Sequence, residues 1–108
     1  MIHKGEVQLI DFDDAGFGWH MFEIATAPHW LVEEPQFHLM KASVLDGYQR
    51  LRPLTQQDLD ALQLFHVARS LTYLGWVHTR SQTETAIEMT PVVIDIAASL
   101  GEQYLAAR

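Results

Sequence analysis

Apolar positions change their spacing several times along this chain, and each change marks an element. Val7, Leu9, Ile10 and Phe12 form a short β-branched and aromatic run behind Gly5-Glu6, which predicts a strand. A lone strand leaves backbone donors and acceptors unmet, so Met1–Lys4 is expected to supply a short hairpin partner. Turn-forming residues then interrupt the run at Asp13-Asp14-Ala15-Gly16-Phe17-Gly18. From Trp19 to about Leu31 the spacing is helical, carried by Met21, Phe22, Ile24, Ala25 and Trp30, with Pro28 expected to kink or end the helix. A second helix is predicted from Pro35 to Leu51, where Phe37, Met40, Val44, Tyr48 and Leu51 recur at three- and four-residue steps.

Pro53 ends that helix, and the Thr55 hydroxyl is placed to cap the next one. Leu59, Leu62, Phe65, Leu71 and Leu74 mark the apolar face of this third helix, which runs toward Thr79 and is apolar on several sides. That breadth predicts a central position. Residues 82–89 read as a short helix, followed by a last helix capped by Thr90, with Pro91 in its first turn, reaching about Ala107. The expected fold is therefore mainly α: about four helices behind one short N-terminal strand or hairpin remnant. Without repeat, low-complexity tract or linker, residues 1–108 are expected to form a single domain, with the strand and acidic turn in 1–18 and the helical part in 19–108.

Composition narrows the function. Seven basic residues against fourteen acidic ones give a net charge of -7, which argues against sequence-independent binding to nucleic acid or to anionic membrane surfaces. The chain has no cysteine, so a disulfide scaffold and thiolate metal sites are excluded, and a cytoplasmic location is expected. No apolar run reaches membrane-spanning length, and Met1–Glu6 does not read as a signal peptide.

The segment Leu9-Ile10-Asp11-Phe12-Asp13-Asp14-Ala15-Gly16 carries the most chemistry. A strand ending in alternating carboxylates puts Asp11 and Asp13 on one side, as hard oxygen donors suited to Mg²⁺. The same residues also suit a polar turn in which an aspartate caps the following helix. Elsewhere the six histidines, His3, His20, His29, His38, His66 and His78, lack zinc-type spacing and read as core-edge or surface residues. Trp19, Trp30 and Trp76 could stack a ligand, but large aromatics at helical spacing read first as core. Arg69 and Arg80 fit either an anion grip or ion pairs with Glu84 or Glu88.

The run from Leu9 to Trp19, followed by Phe22-Glu23-Ile24-Ala25, resembles the metal-binding segment of the aminoglycoside phosphotransferase-like kinases, a group that includes choline-kinase-like and homoserine-kinase-like enzymes. Asp46-Gly47-Tyr48, Arg52-Pro53-Leu54 and Ala68–Trp76 are similar to the helical tail of the same kinases. The resemblance covers nearly the whole chain but only about the last third of a complete enzyme. It implies that Asp11 is the Mg²⁺-binding aspartate, that Asp13 assists through water, and that Gly16 and Glu23 support the acidic loop. Glu23 stands where such kinases usually have Asp.

The family's His-Gly-Asp catalytic loop and its Asn have no counterpart in the ten residues before Asp11, and neither Lys4 nor Lys41 sits in a nucleotide-gripping strand. Phosphoryl transfer depends on positioning and charge stabilisation, so the expectation is a truncated phosphotransferase-like domain without kinase activity of its own. Mg²⁺ is expected to bind weakly and no nucleotide tightly. Two alternatives stand beside this: a module that binds a small cationic molecule, and a subunit of a split kinase completed by another chain. Loss of the preceding strand and catalytic loop would open a strand edge and an apolar face. A two-fold homodimer is expected to cover them, through Ile2, Val7 and Leu9 together with part of the first helix.

Overall fold

The structure, a computed structural model, describes residues 2–9 and 18–107. It begins with a two-stranded antiparallel hairpin, β1 (Ile2–His3) and β2 (Glu6–Val7), in the register Ile2 to Val7 and His3 to Glu6. Lys4 and Gly5 make the turn with φ of 50° and 79°, both left-handed, as a two-residue hairpin turn of matching twist requires. Glycine takes that conformation without strain, whereas Lys4 is held there by the closure of the ladder. Of the strand expected at 7–12, Val7 is in the ladder and Gln8 and Leu9 are not, while residues 10–12 lie outside the described residues.

Four helices follow: α1 (His20–Thr26), α2 (Phe37–Gln49), α3 (Gln56–Thr79) and α4 (Glu84–Ala106). The mainly helical fold behind a hairpin is as the pattern predicts, and the differences lie at the boundaries. Helix α1 stops at Thr26 because Pro28 has no amide to continue the ladder. The chain then makes a 3₁₀ turn at His29–Leu31, opened by the Leu31 amide donating to the Pro28 carbonyl at 2.9 Å. Helix α3 starts as expected, with Thr55 and Asp58 closing a capping box. The Asp58 amide donates to Thr55 Oγ1 at 3.1 Å, and the Thr55 amide donates to Asp58 Oδ2 at 2.9 Å.

The end of the chain departs from expectation. The short helix expected at 82–89 and the last helix expected after Thr90 are one continuous helix, Glu84–Ala106, capped by the Thr83 hydroxyl, which accepts from the Ala86 amide at 3.2 Å. Thr90 is therefore not a cap. Its hydroxyl donates back to the Ala86 carbonyl at 2.6 Å, while Pro91 sits inside the helix with its ring on the exposed side. Packing against α3 on both sides of the proline, through Ala86 and Val93, holds the two halves in line despite the lost hydrogen bond.

Helix α3 is the spine. Its buried positions, Leu62, His66, Ser70 and Val77, form one stripe at four- and seven-residue steps. Leu62 packs with Met21, Ile24 and Ala25 of α1, and the half-buried Val44, Leu45 and Tyr48 of α2 close over them. At the other end Val77 packs with Ala86 and Val93 of α4. Leu71, expected on the inner face, is 56% exposed, since it stands one position round from the stripe that α1 and α4 cover.

Candidate functional site: a cleft beside two buried histidines

Asp11, Asp13 and Gly16, the expected metal ligands and loop glycine, lie outside the described residues. Glu23 is described. It occupies the first turn of α1 with its side chain exposed, where an acidic residue suits the helix dipole, and it makes no ion pair among the described residues. On the same helix, Met21, Ile24 and Ala25 face α3. Among the described residues, no group of three or more His, Asp or Glu side chains is arranged to hold a metal ion.

What the fold does bring together is a polar layer at the middle of α3. His29, carried by the 3₁₀ turn, is 1% exposed, and His66 on α3 is 4% exposed. The His29 ring lies 4.6 Å from the Tyr73 ring and 5.0 Å from Trp30, and Trp30 and Tyr73 are themselves 4.6 Å apart. His66 meets Phe37 of α2 edge-on at 5.5 Å. No ring nitrogen of either histidine makes a hydrogen bond of full geometry, although the Ala25 carbonyl faces His66 and slightly favours its charged form. Burial lowers the His29 pKa to about 4, aided by the Arg69 charge. Burial likewise lowers His66 to about 4, aided by Lys41 and by His29.

At neutral pH both imidazoles are therefore uncharged, each with one N–H and one lone pair. So weak a base is poorly matched to proton transfer near pH 7. Sequence spacing marked all six histidines as core-edge or surface residues. His29 and His66 are instead core, and the signal available was their place among apolar neighbours at helical steps.

The arginines also differ from expectation. The Arg69 guanidinium lies 4.5 Å from the Tyr73 ring and 5.2 Å from the Phe22 ring, and its Nη2 donates to the Tyr73 hydroxyl at 3.0 Å. Arg80 covers Trp76 at 4.6 Å. Neither pairs with Glu84 or Glu88; the ion pair among the described residues joins Arg50 to Asp46 at 2.8 Å, on the exposed side of α2. Faces of aromatic rings satisfy these cations where acidic partners stand on other turns. The tryptophans are less internal than their size suggests. Trp19 is 76% exposed, Trp30 is partly exposed, and Trp76 is half-buried beneath Arg80.

An open cleft of about 320 Å³ lies over His66. Phe37, His38 and Lys41 of α2 form one wall, Leu59, Asp60, Leu62 and Gln63 of α3 form the floor, and Leu100 and Gln103 of α4 close the far side. The antiparallel run of α4 along α3 brings Leu100 back to the start of α3, which sequence spacing alone could not reveal.

No protein-family model matches the chain, and no solved structure does. The chain is 33% identical over 84 residues to an uncharacterized protein of Deinococcus radiodurans, a match that takes in 72% of this chain and 24% of that protein. The chain thus spans about a quarter of the length of the relative it matches. None of its helices among the described residues is long and apolar enough to cross a membrane.

Proposed function

We propose that this chain is the helical part of a phosphotransferase-like protein related to the aminoglycoside phosphotransferase-like kinases, without phosphoryl-transfer activity by itself. The observation that carries the reading is the acidic segment Ile10-Asp11-Phe12-Asp13-Asp14-Ala15-Gly16, set between a hairpin that ends at Val7 and a helix that begins at His20. The match to about a quarter of a longer protein of unknown activity also suits a chain that corresponds to part of a larger one. Asp11 and Asp13 offer hard carboxylate oxygens, the donor type that Mg²⁺ takes, and a bound Mg²⁺ would neutralise phosphate charge. With two protein ligands and no nucleotide phosphates its affinity is low, and no nucleotide is expected to bind tightly.

The test is a titration with Mn²⁺, a paramagnetic stand-in for Mg²⁺, followed by amide NMR. Signals of Leu9, Gly18 and Trp19, which flank the acidic segment, should broaden at millimolar metal and stay sharp in Asp11→Ala. Equal broadening in both proteins removes the metal site. A parallel incubation with ATP or GTP, Mg²⁺ and a panel of aminoglycosides should yield no phosphorylated product. Turnover lost in Asp11→Asn would overturn the inactive reading in favour of a working kinase.

The same reading includes a homodimer. Ile2 and Val7 are 75% and 76% exposed, and Leu9 is equally open, so the hairpin presents apolar side chains and a ladder edge to water. A second copy is the occupant that a two-fold pairing of that edge implies. Binding of a small cationic molecule is the weaker reading, because the described cleft offers a single carboxylate, Asp60.

A further inference from the structure

Lys41 and His66 face the same cleft from two helices, and neither has a full partner. Lys41 is half-buried, stands 5.6 Å over the Phe37 ring, and pairs with no carboxylate among the described residues. His66 is buried with both ring nitrogens short of a proper hydrogen bond, a costly state for polar atoms away from water. Phe37, Leu59, Leu62 and Leu100 give the cleft an apolar patch, beside the polar His38, Asp60, Gln63 and Gln103. Asp60, the one carboxylate of the cleft, is engaged by Gln56, whose Nε2 donates to it at 2.8 Å. Gln103, at the far side, donates to Ser99.

From this geometry we infer that the cleft between α2, α3 and the end of α4 binds a small organic carboxylate with an apolar body. The carboxylate sits between the Lys41 ammonium and the His66 ring, and the apolar body lies against Phe37, Leu62 and Leu100. A preformed concave site with apolar walls and a few convergent polar groups is the usual form of a small-molecule site. The ammonium selects charge, since a charge-assisted hydrogen bond is about twice as strong as a neutral one. The neutral imidazole completes the contact in the tautomer whose single N–H lies on the nitrogen away from the Ala25 carbonyl, which carboxylate binding would select. Bulk attraction does not contribute, because the whole chain carries a charge of -7. Selectivity therefore rests on the cleft itself. This inference is independent of the phosphotransferase-like reading, because no residue of the acidic segment enters it.

Phenylacetate is a suitable probe, with phenylacetamide as its neutral counterpart and benzylammonium as its charge-reversed one. Each is titrated into the full chain and followed by amide NMR. Phenylacetate should shift the signals of Lys41, Leu62, Gln63 and His66 saturably, with a Kd on the order of 1 mM, as expected for so small a ligand. The amide and the ammonium should bind about tenfold more weakly or not at all. Lys41→Gln, which leaves the core untouched, should lose about tenfold in phenylacetate affinity and with it the preference over the amide. His66→Leu should lose a similar factor while keeping the apolar contact. Shifts that are scattered or fail to saturate overturn the site. Equal affinity for the amide, or an unchanged titration in Lys41→Gln, overturns the assignment to a carboxylate.

Discussion

His29 lies against Tyr73 with ring centroids 4.6 Å apart and planes tilted by 32°, so a side chain from the 3₁₀ turn meets α3 by ring contact rather than by a hydrogen bond. Neither nitrogen of that imidazole has a hydrogen-bond partner. The fold therefore keeps a titratable group buried and neutral at its centre, and His66 repeats the arrangement nearby. Several measurable consequences come from that layer and from the helices around it.

Acid should destabilise the protein through these two histidines. Their folded pKa of about 4 lies below the ordinary value of 6.5, so the unfolded chain binds protons more readily between those limits. Stability linked to them is full above about pH 6.5, falls as pH drops toward 4, and levels below that. Carboxylates titrate in part of the same range, so the informative quantity is the difference between variants. His29→Phe and His66→Leu should each flatten the fall in thermal midpoint between pH 6.5 and 4.5. A slope equal to the parent's in both variants would remove the histidines as its cause.

Pro91 should be a stabilising position to change. It stands inside α4, exposed, and deprives the helix of one backbone hydrogen bond. Pro91→Ala restores that donor at a site where no packing is lost, so a gain of about 1–3 kcal/mol is expected from chemical denaturation. A loss of stability would mean that the proline serves the packing of α3 against α4.

Leu62 joins α1 to α3 among Met21, Ile24 and Ala25. Leu62→Ala should cost about 2–5 kcal/mol, the range for a buried leucine whose cavity cannot fully collapse. For comparison, Leu71→Ala on the exposed side of the same helix should cost about 0.5 kcal/mol or less. Equal losses at the two positions would mean that the inner stripe of α3 is drawn on the wrong face.

Light scattering at micromolar concentration tests the proposed assembly. A dimer is expected, and Val7→Asp should dissociate it by putting a charge on the apolar side of the hairpin, opposite Ile2. A monomer at all concentrations refutes the dimer. A dimer indifferent to Val7→Asp moves the interface away from the hairpin.

Much of this architecture is written in local signals. Thr55 three residues before Asp58 specifies a capping box, and Pro28 must interrupt a helical ladder wherever it falls. Gly5, which takes a positive φ without strain, suits a tight hairpin turn. These depend on a residue and its near neighbours, so the chain alone determines them, as it does the mainly helical class and the net acidic charge. Tertiary packing decided the rest. Thr90-Pro91 has the local form of a helix start, but Ala86 and Val93 pack on Val77 from either side of it and make one helix of two. Local spacing could not tell which histidines would be buried, because His29 and His66 lose solvent only when the 3₁₀ turn and α2 close over α3. The cleft is likewise invisible in sequence. Lys41, His66 and Leu100 come from three helices, and only the antiparallel return of α4 along α3 brings its end beside the other two.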